Sequence, residues 1–206
     1  MTPLYIAIEG PIGVGKSSLA NLLSKHLGVP VMYEIVEENP FLSDFYADIE
    51  KWSFQTEMFF LCHRYKELSD LHHDTAIVSD YHILKNKIFA KNTLNPAEYD
   101  KFIRIYDILT EDIRMPDATI FLTADLDTLK SRIEKRARDF EQIIEDDYLT
   151  KLTDDYHQVY ELMKDHHTAL LIDTTNIDFV NNDQDFQQIL QRITARIGEQ
   201  YVPNTK

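Results

Sequence analysis

Gly10-Pro11-Ile12-Gly13-Val14-Gly15-Lys16-Ser17 is the stretch that decides the fold. It fits G-x-x-x-x-G-K-[ST]. It lies between an apolar, β-prone segment at 4–9 (LYIAIE) and a segment at 16–27 whose apolar residues Leu19, Leu22, Leu23 and Leu27 fall at helical spacing. A strand, a glycine-rich turn and a helix in that order make a phosphate cradle. The glycines let backbone N–H groups turn inward around phosphate oxygens, and the helix start adds the positive end of its dipole. Gly10, Gly13, Val14, Gly15, Lys16, Ser17 and Ser18 are therefore expected to hold the phosphates of a nucleoside triphosphate. In such a loop the lysine reaches the β- and γ-phosphates and the serine is placed to ligate Mg2+. Three of the five glycines in the chain lie here, which argues against a glycine turn that matches by chance.

Outward from the loop, strand patterns at 29–34, 75–81, 117–124 and 168–174 alternate with helical ones. The helices are expected at about 49–73, on both sides of Asn95-Pro96, from the Asp125–Asp127 region into SRIEKRAR, at about 145–165 and at about 183–197, with 37–46 as a polar-aromatic connection. The recurring β-α order predicts a five-stranded parallel sheet with helices on both faces. A chain of 206 residues, without repeat or linker, suits one domain spanning 1–206.

The chain carries 21 basic and 35 acidic residues, a net charge of −14, so nucleic acid and anionic membrane are poor partners. No stretch approaches the roughly 20 apolar residues of a membrane helix, and no signal segment opens the chain. Cys62, the single cysteine, cannot form an internal disulfide, which fits a reducing cytoplasm. Its place in the apolar run 58–62 suggests buried filler.

The loop specifies a nucleoside triphosphate and no more. A GTPase switch needs D-x-x-G and N-K-x-D, but Gly28 and Gly198 complete no D-x-x-G, and Asn86-Lys87-Ile88 is followed by Phe89. A transport-type ATPase needs a glycine-rich signature that five glycines cannot supply. A small-molecule kinase remains.

Further matches come in order: Glu34-Ile35-Val36-Glu37-Glu38-Asn39-Pro40-Phe41 after the second strand, Trp52-Ser53-Phe54 followed by Arg64, Asp80 ending the third strand, and Arg132-x-x-x-Arg136-x-Arg138. With the phosphate loop, these make the sequence resemble the deoxynucleoside kinase family over nearly its whole length. Ser79-Asp80-Tyr81-His82 and the run 59–65 resemble its bacterial deoxyguanosine-specific branch. The resemblance implies transfer of the ATP γ-phosphoryl group to the 5′-hydroxyl of a purine deoxynucleoside, with deoxyguanosine first and deoxyadenosine or broad specificity next. A nucleoside monophosphate kinase is a more distant alternative, since it needs a second phosphate site. The resemblance also implies Mg2+ and a homodimer.

Residue by residue, Glu34 matches the general base, at a strand end where α/β sheets place their ligands; Glu37 and Glu38 are alternatives. Arg132, Arg136 and Arg138 match a lid, at about 132–146, that stabilises the transferring phosphoryl group. Glu141 matches the carboxylate that receives the 3′-hydroxyl, with Tyr46 as its aromatic partner. Asp80 matches a second Mg2+ ligand. Trp52, Glu57, Arg64, Asn86 and Phe89 fall where family members surround the base, although Tyr46, Trp52 and Phe89 also suit plain core packing. Three departures stand out. Tyr81 replaces an arginine common after the acid, leaving that role unfilled, and His82 reads as structural. Asn86 stands where many members have aspartate. Glu57 replaces a common glutamine, and an ionised carboxylate is an acceptor pair matching the N1–H and N2 donors of guanine, unless it simply pairs with Arg64.

Overall fold

Tyr5–Glu9 forms strand β1, and every one of its side chains is buried. Alternate residues of a strand point to opposite faces. Ile6 and Ile8 accordingly pack with one core layer, and Tyr5 and Ala7 with another. A strand buried on both sides must be covered by helices on both sides, the arrangement of a parallel sheet.

The computed structural model of the protein describes residues 3–36, 38–138, 144–165 and 168–198. After β1 come α1 (Lys16–Leu27), β2 (Val31–Met32), α2 (Leu42–Ala47), α3 (Ile49–Ser69), β3 (Ile77–Ser79), α4 (Lys85–Thr93), α5 (Pro96–Thr110), β4 (Ala118–Thr123), α6 (Leu126–Arg136), α7 (Asp146–Met163), β5 (Ala169–Asp173) and α8 (Asp183–Ile197). The five strands lie in the order β2-β3-β1-β4-β5, all parallel. Residues of α1, α6 and α8 join the layer on Ile6 and Ile8. The other face carries α3, α4 and α5 over Tyr5 and Ala7, and α4 with α7 over Phe121 and Ala169.

The helix starts follow the expected chemistry. Asp48, Asn95, Asp125 and Asn182 each accept a hydrogen bond from a backbone N–H of the first turn, and Pro96 follows Asn95. Gly28, in the left-handed region at φ 67°, ends α1.

Three expectations need correction. The second strand is two residues long rather than six. It is an edge strand paired only to β3, and beyond Met32 the Glu34 N–H turns to the Asp80 carboxylate instead of a neighbouring strand. The connection at 37–46 contains α2, formed because Leu42 and Phe45 can both be buried on one side of a short helix. Cys62 is exposed rather than buried. The buried face of α3 runs through Ser53, Thr56, Glu57, Leu61, Arg64 and Leu68, and Cys62 sits one residue off that stripe.

Far from the phosphate loop, Ile193 of α8 is fully buried in the layer it shares with α1. Ile193→Ala removes its packing and leaves a cavity, so chemical denaturation is expected to show a loss of about 2–5 kcal/mol.

Candidate active site

The strand ends converge on a cleft of about 830 Å³. Its floor is the phosphate loop, one wall is α3 with α4, and the other is the end of α6 with the β5–α8 connection. This is the carboxyl edge of the sheet, where open α/β folds bind ligands.

Two loop glycines have no substitute. Gly10 (φ 145°) and Gly13 (φ 82°) adopt backbone conformations that side chains disfavour. A Cβ on Gly10 would lie 2.4 Å from the Leu122 carbonyl, and one on Gly13 would lie 2.9 Å from the Leu129 carbonyl. The loop is therefore clamped between β4 and α6. Lys16 Nζ donates to the carbonyls of Gly10 (2.8 Å) and Pro11 (3.0 Å). Burial and then the nearby Lys85 ammonium bring its pKa down to about 8, against the pull of Glu9, Glu34 and Asp80.

Asp80 ties three elements together. Its carboxylate accepts from Ser17 Oγ at 2.5 Å and from the Glu34 N–H at 2.6 Å. Glu9, buried at the end of β1, accepts from the Gly10 N–H (3.1 Å) and the His82 N–H (2.6 Å), fixing the turn after β3. His82 Nδ1 accepts from the Leu84 N–H at 3.0 Å, a structural bond.

Glu34 stands between the phosphate loop and the α3 wall. Arg64 donates to its Oε1, and Lys85 Nζ to its Oε2 at 2.6 Å. Burial alone would raise its pKa; Lys85 and then Arg64 reverse this and hold the carboxyl well below the usual carboxylate range. Arg64 also lies over the Phe60 ring, 4.9 Å from its centroid. Glu57 therefore does not consume Arg64. Among the described residues it accepts only a long bond, 3.3 Å, from Thr93 Oγ1. Burial raises its pKa to about 7, against the charge of Arg64. Arg64 Nε, Thr56 Oγ1 and both amide atoms of Asn86 are buried without a hydrogen-bond partner among the described residues.

The cleft brings together Gly13, Val14, Gly15, Lys16, Ser17, Ser18, Glu34, Tyr46, Glu57, Arg64, Asp80, Phe89, Arg132, Arg136 and Arg138. Gly10 supports the loop from beneath. Three expected residues are placed differently. Trp52 stacks on Phe41, ring centroids 5.9 Å apart, and does not line the cleft. Asn86 is fully buried beside the wall without reaching the cavity. Arg132 lines the cleft, but its guanidinium donates to Thr174 Oγ1 (2.9 Å), the Thr174 carbonyl (2.8 Å) and the Val14 carbonyl (3.2 Å), tying the phosphate loop to the end of β5. It is an anchor here, not a group extended toward a ligand. Arg136 ends α6. The chain then turns through Ala137 in the left-handed region (φ 55°), and Arg138 follows on the cleft wall. Glu37 and Glu141 lie outside the described residues.

Sequence reasoning missed Lys85 and the β5–α8 connection, whose Phe179 packs where a Cβ on Gly15 would fall. The available signal for Lys85 was its spacing. Lys85 and Phe89 are four apart, one helical turn, so a cation heads the stripe that faces the cleft.

The family model for Deoxynucleoside kinase matches residues 6–198. The deoxyguanosine kinase of Bacillus subtilis is 46% identical over 204 residues, covering 95% of this chain and 99% of that protein. The deoxyadenosine kinase of Lactobacillus acidophilus is 32% identical over 208 residues, covering 94% and 96%. The solved structure of deoxyadenosine kinase from M. mycoides with bound dATP matches with a TM-score of 0.81 at 28% identity, covering 93% of this chain and 99% of that one.

The raised pKa of Glu57 sets a pH dependence of stability. The folded state favours the neutral acid, so this contribution is full below the ordinary value of 4.5 and is lost as pH rises through about 7. Glu57→Gln removes the ionisation. Denaturant unfolding at pH 5 and pH 8 is expected to show the variant gaining on the wild type by on the order of 3 kcal/mol, at about 1.4 kcal/mol per pKa unit. A difference independent of pH would mean that the carboxyl is well solvated.

Proposed function

We propose, from the premise that the chain belongs to the deoxynucleoside kinase family, that it transfers the γ-phosphoryl group of ATP to the 5′-hydroxyl of a purine deoxynucleoside, deoxyguanosine above all. The observation that carries the reading is one continuous cleft with the phosphate loop at one end, Glu57 and Arg64 at the other, and the Glu34 carboxylate at their junction. The B. subtilis relative, a deoxyguanosine kinase, supports the choice of base.

In this reading the nucleoside lies against α3 with its 5′-hydroxyl at Glu34, and the triphosphate lies in the loop. The 5′-oxygen attacks the γ-phosphorus, the bond to the β–γ bridging oxygen breaks, ADP leaves, and the hydroxyl proton passes to Glu34. A carboxylate held so far toward its ionised form is a weak base. That suits a loose transition state in which the nucleophile loses its proton late and orientation matters most. Lys16 meets the β- and γ-phosphates, and Arg136 and Arg138, on the cleft wall, serve as lid cations for the charge spreading over the γ-oxygens. By the family resemblance, Glu141 is the carboxylate that receives the 3′-hydroxyl, with Tyr46 as its aromatic partner. Arg132 contributes through the phosphate loop that it anchors. Ser17 Oγ and the Asp80 carboxylate are two hard oxygens in contact at the loop, a donor pair that fits Mg2+. When bound there, Mg2+ neutralises phosphate charge. The same reading takes residues 1–206 as one kinase domain, working as a homodimer in the cytoplasm.

Turnover of each deoxynucleoside, and of the corresponding monophosphates, with Mg-ATP tests the reaction. In that assay Glu34→Gln, which keeps shape and removes the base, is expected to lower kcat by about 10²-fold or more. A loss under threefold would assign the proton to another group.

Glu57 gives the choice of base its own test. Ionised, it is an acceptor pair for the N1–H and N2 amino group of guanine; protonated, it presents one donor and one acceptor, as glutamine does, and matches adenine. This favours deoxyadenosine as the second substrate at low pH. With a pKa raised to about 7, the ratio of kcat/KM for deoxyguanosine to that for deoxyadenosine is expected to rise between pH 6 and pH 8. Its upper scale is roughly 10–150-fold, the worth of hydrogen bonds to a charged group. Glu57→Gln is expected to flatten the pH dependence and lower the ratio. An identical ratio in both proteins would remove Glu57 from base selection.

A further inference from the structure

We propose that Lys85 is a positioning residue for phosphoryl transfer: its ammonium holds the Oε2 side of Glu34 and places a second cation beside Lys16 where the transferred phosphoryl group must pass. The proposal rests on the reading of Glu34 as the acceptor of the hydroxyl proton.

The placement of Lys85 is costly. It is the first residue of α4, where the helix dipole disfavours a cation, and it is 7% exposed. A lysine buried at the positive end of a helix needs strong compensation. Two contacts supply it: the bond to Glu34 Oε2 at 2.6 Å, and the Phe89 ring, whose centroid lies 5.2 Å from Nζ. Glu34, Lys85 and Phe89 all line the cleft, so the pair is buried against the cavity wall and not within the core.

The neighbouring residue explains why a lysine from α4 takes this place. Tyr81, directly after Asp80, is fully buried in the layer with Leu61 and Phe102 beneath α3 and α5, and its hydroxyl donates to Glu67 at 2.8 Å. The position after Asp80 therefore sends no charge into the cleft, and Lys85, five residues on, supplies it.

Lys85 also acts on Lys16. Both ammoniums line the cleft, and they repel each other. A polyphosphate between them relieves that repulsion. Donor binding and the geometry of Glu34 are thus linked through one side chain.

The charged and titratable groups facing Glu34 are Lys85 from α4, Arg64 and Glu57 from α3, Lys16 from the phosphate loop, Asp80 through the Glu34 N–H, and Tyr156 from α7. Of the cations, Lys85 acts most strongly on the Glu34 carboxyl.

Four proteins decide the matter: Lys85→Met, Lys85→Arg, Glu34→Gln, and the Lys85→Met/Glu34→Gln double variant, each checked for folding by circular dichroism and denaturation. Lys85→Met is expected to lower kcat roughly 10–100-fold, the scale of a misplaced reacting group, with a smaller change in KM for ATP. Lys85→Arg is expected to restore most of kcat. In the Glu34→Gln background, Lys85→Met is expected to add little, because the two act as a unit. A folded Lys85→Met within twofold of wild type overturns the proposal. So does a loss of kcat that Lys85→Arg does not restore, which would mark mere packing. If Lys85→Met fails to fold, Lys85→Gln takes its place, and the recovery of kcat in Lys85→Arg against it decides. If Glu34→Gln itself retains kcat, the reading of Glu34 fails; if Glu34→Gln loses kcat and Lys85→Met does not, only the role of Lys85 fails.

Discussion

A carboxylate taken out of water keeps its charge only if cations and N–H groups replace the water, and the cleft is organised around that constraint. Glu34, Asp80 and Glu9 come from the ends of three strands or just beyond them, while Arg64, Lys85 and Lys16 come from helices that pack against those ends. Neither set could be buried alone. The polar groups therefore lock the helices to the sheet edge in one register, and the apolar layers beneath supply the burial that makes the lock strong.

The same constraint explains why Glu34 needs no strand to hold it. β2 ends two residues before it, and its place in space is set by the Asp80 carboxylate on its N–H and by two cations on its side chain. Arg132 does comparable service on the other side of the loop. It spends its guanidinium on backbone carbonyls and a threonine, and so ties the loop, β5 and α6 together.

Much of the fold was legible because its signals are local. The loop motif, the apolar runs of β1 and β4 and the helix start at Asp125 each act within a few residues. The shortness of β2 was not legible, because it reflects competition between a ladder bond and a carboxylate 46 residues away. Within the site, Lys16, Ser17, Glu34, Asp80 and Arg64 converge as expected. Lys85 and the anchoring role of Arg132 escaped, because each is defined by partners remote in sequence, Glu34 and Thr174. Trp52 escaped for the opposite reason: an aromatic at helical spacing reads the same whether it meets a ligand or Phe41.

Arg64 and Glu57 sit two helical turns apart on the buried face of α3, one bonded to Glu34 and the other lining the cleft. Under the proposed function, a single rigid helix carries both the residue that would choose the base and a tether of the group that would take the proton. On that proposal, substrate range and turnover are not separable traits. A change on α3 that admits a new base also shifts the tether, and its benefit depends on compensating residues on α4. Adaptation to a different nucleoside is expected to be epistatic, proceeding by paired substitutions across the α3–α4 wall.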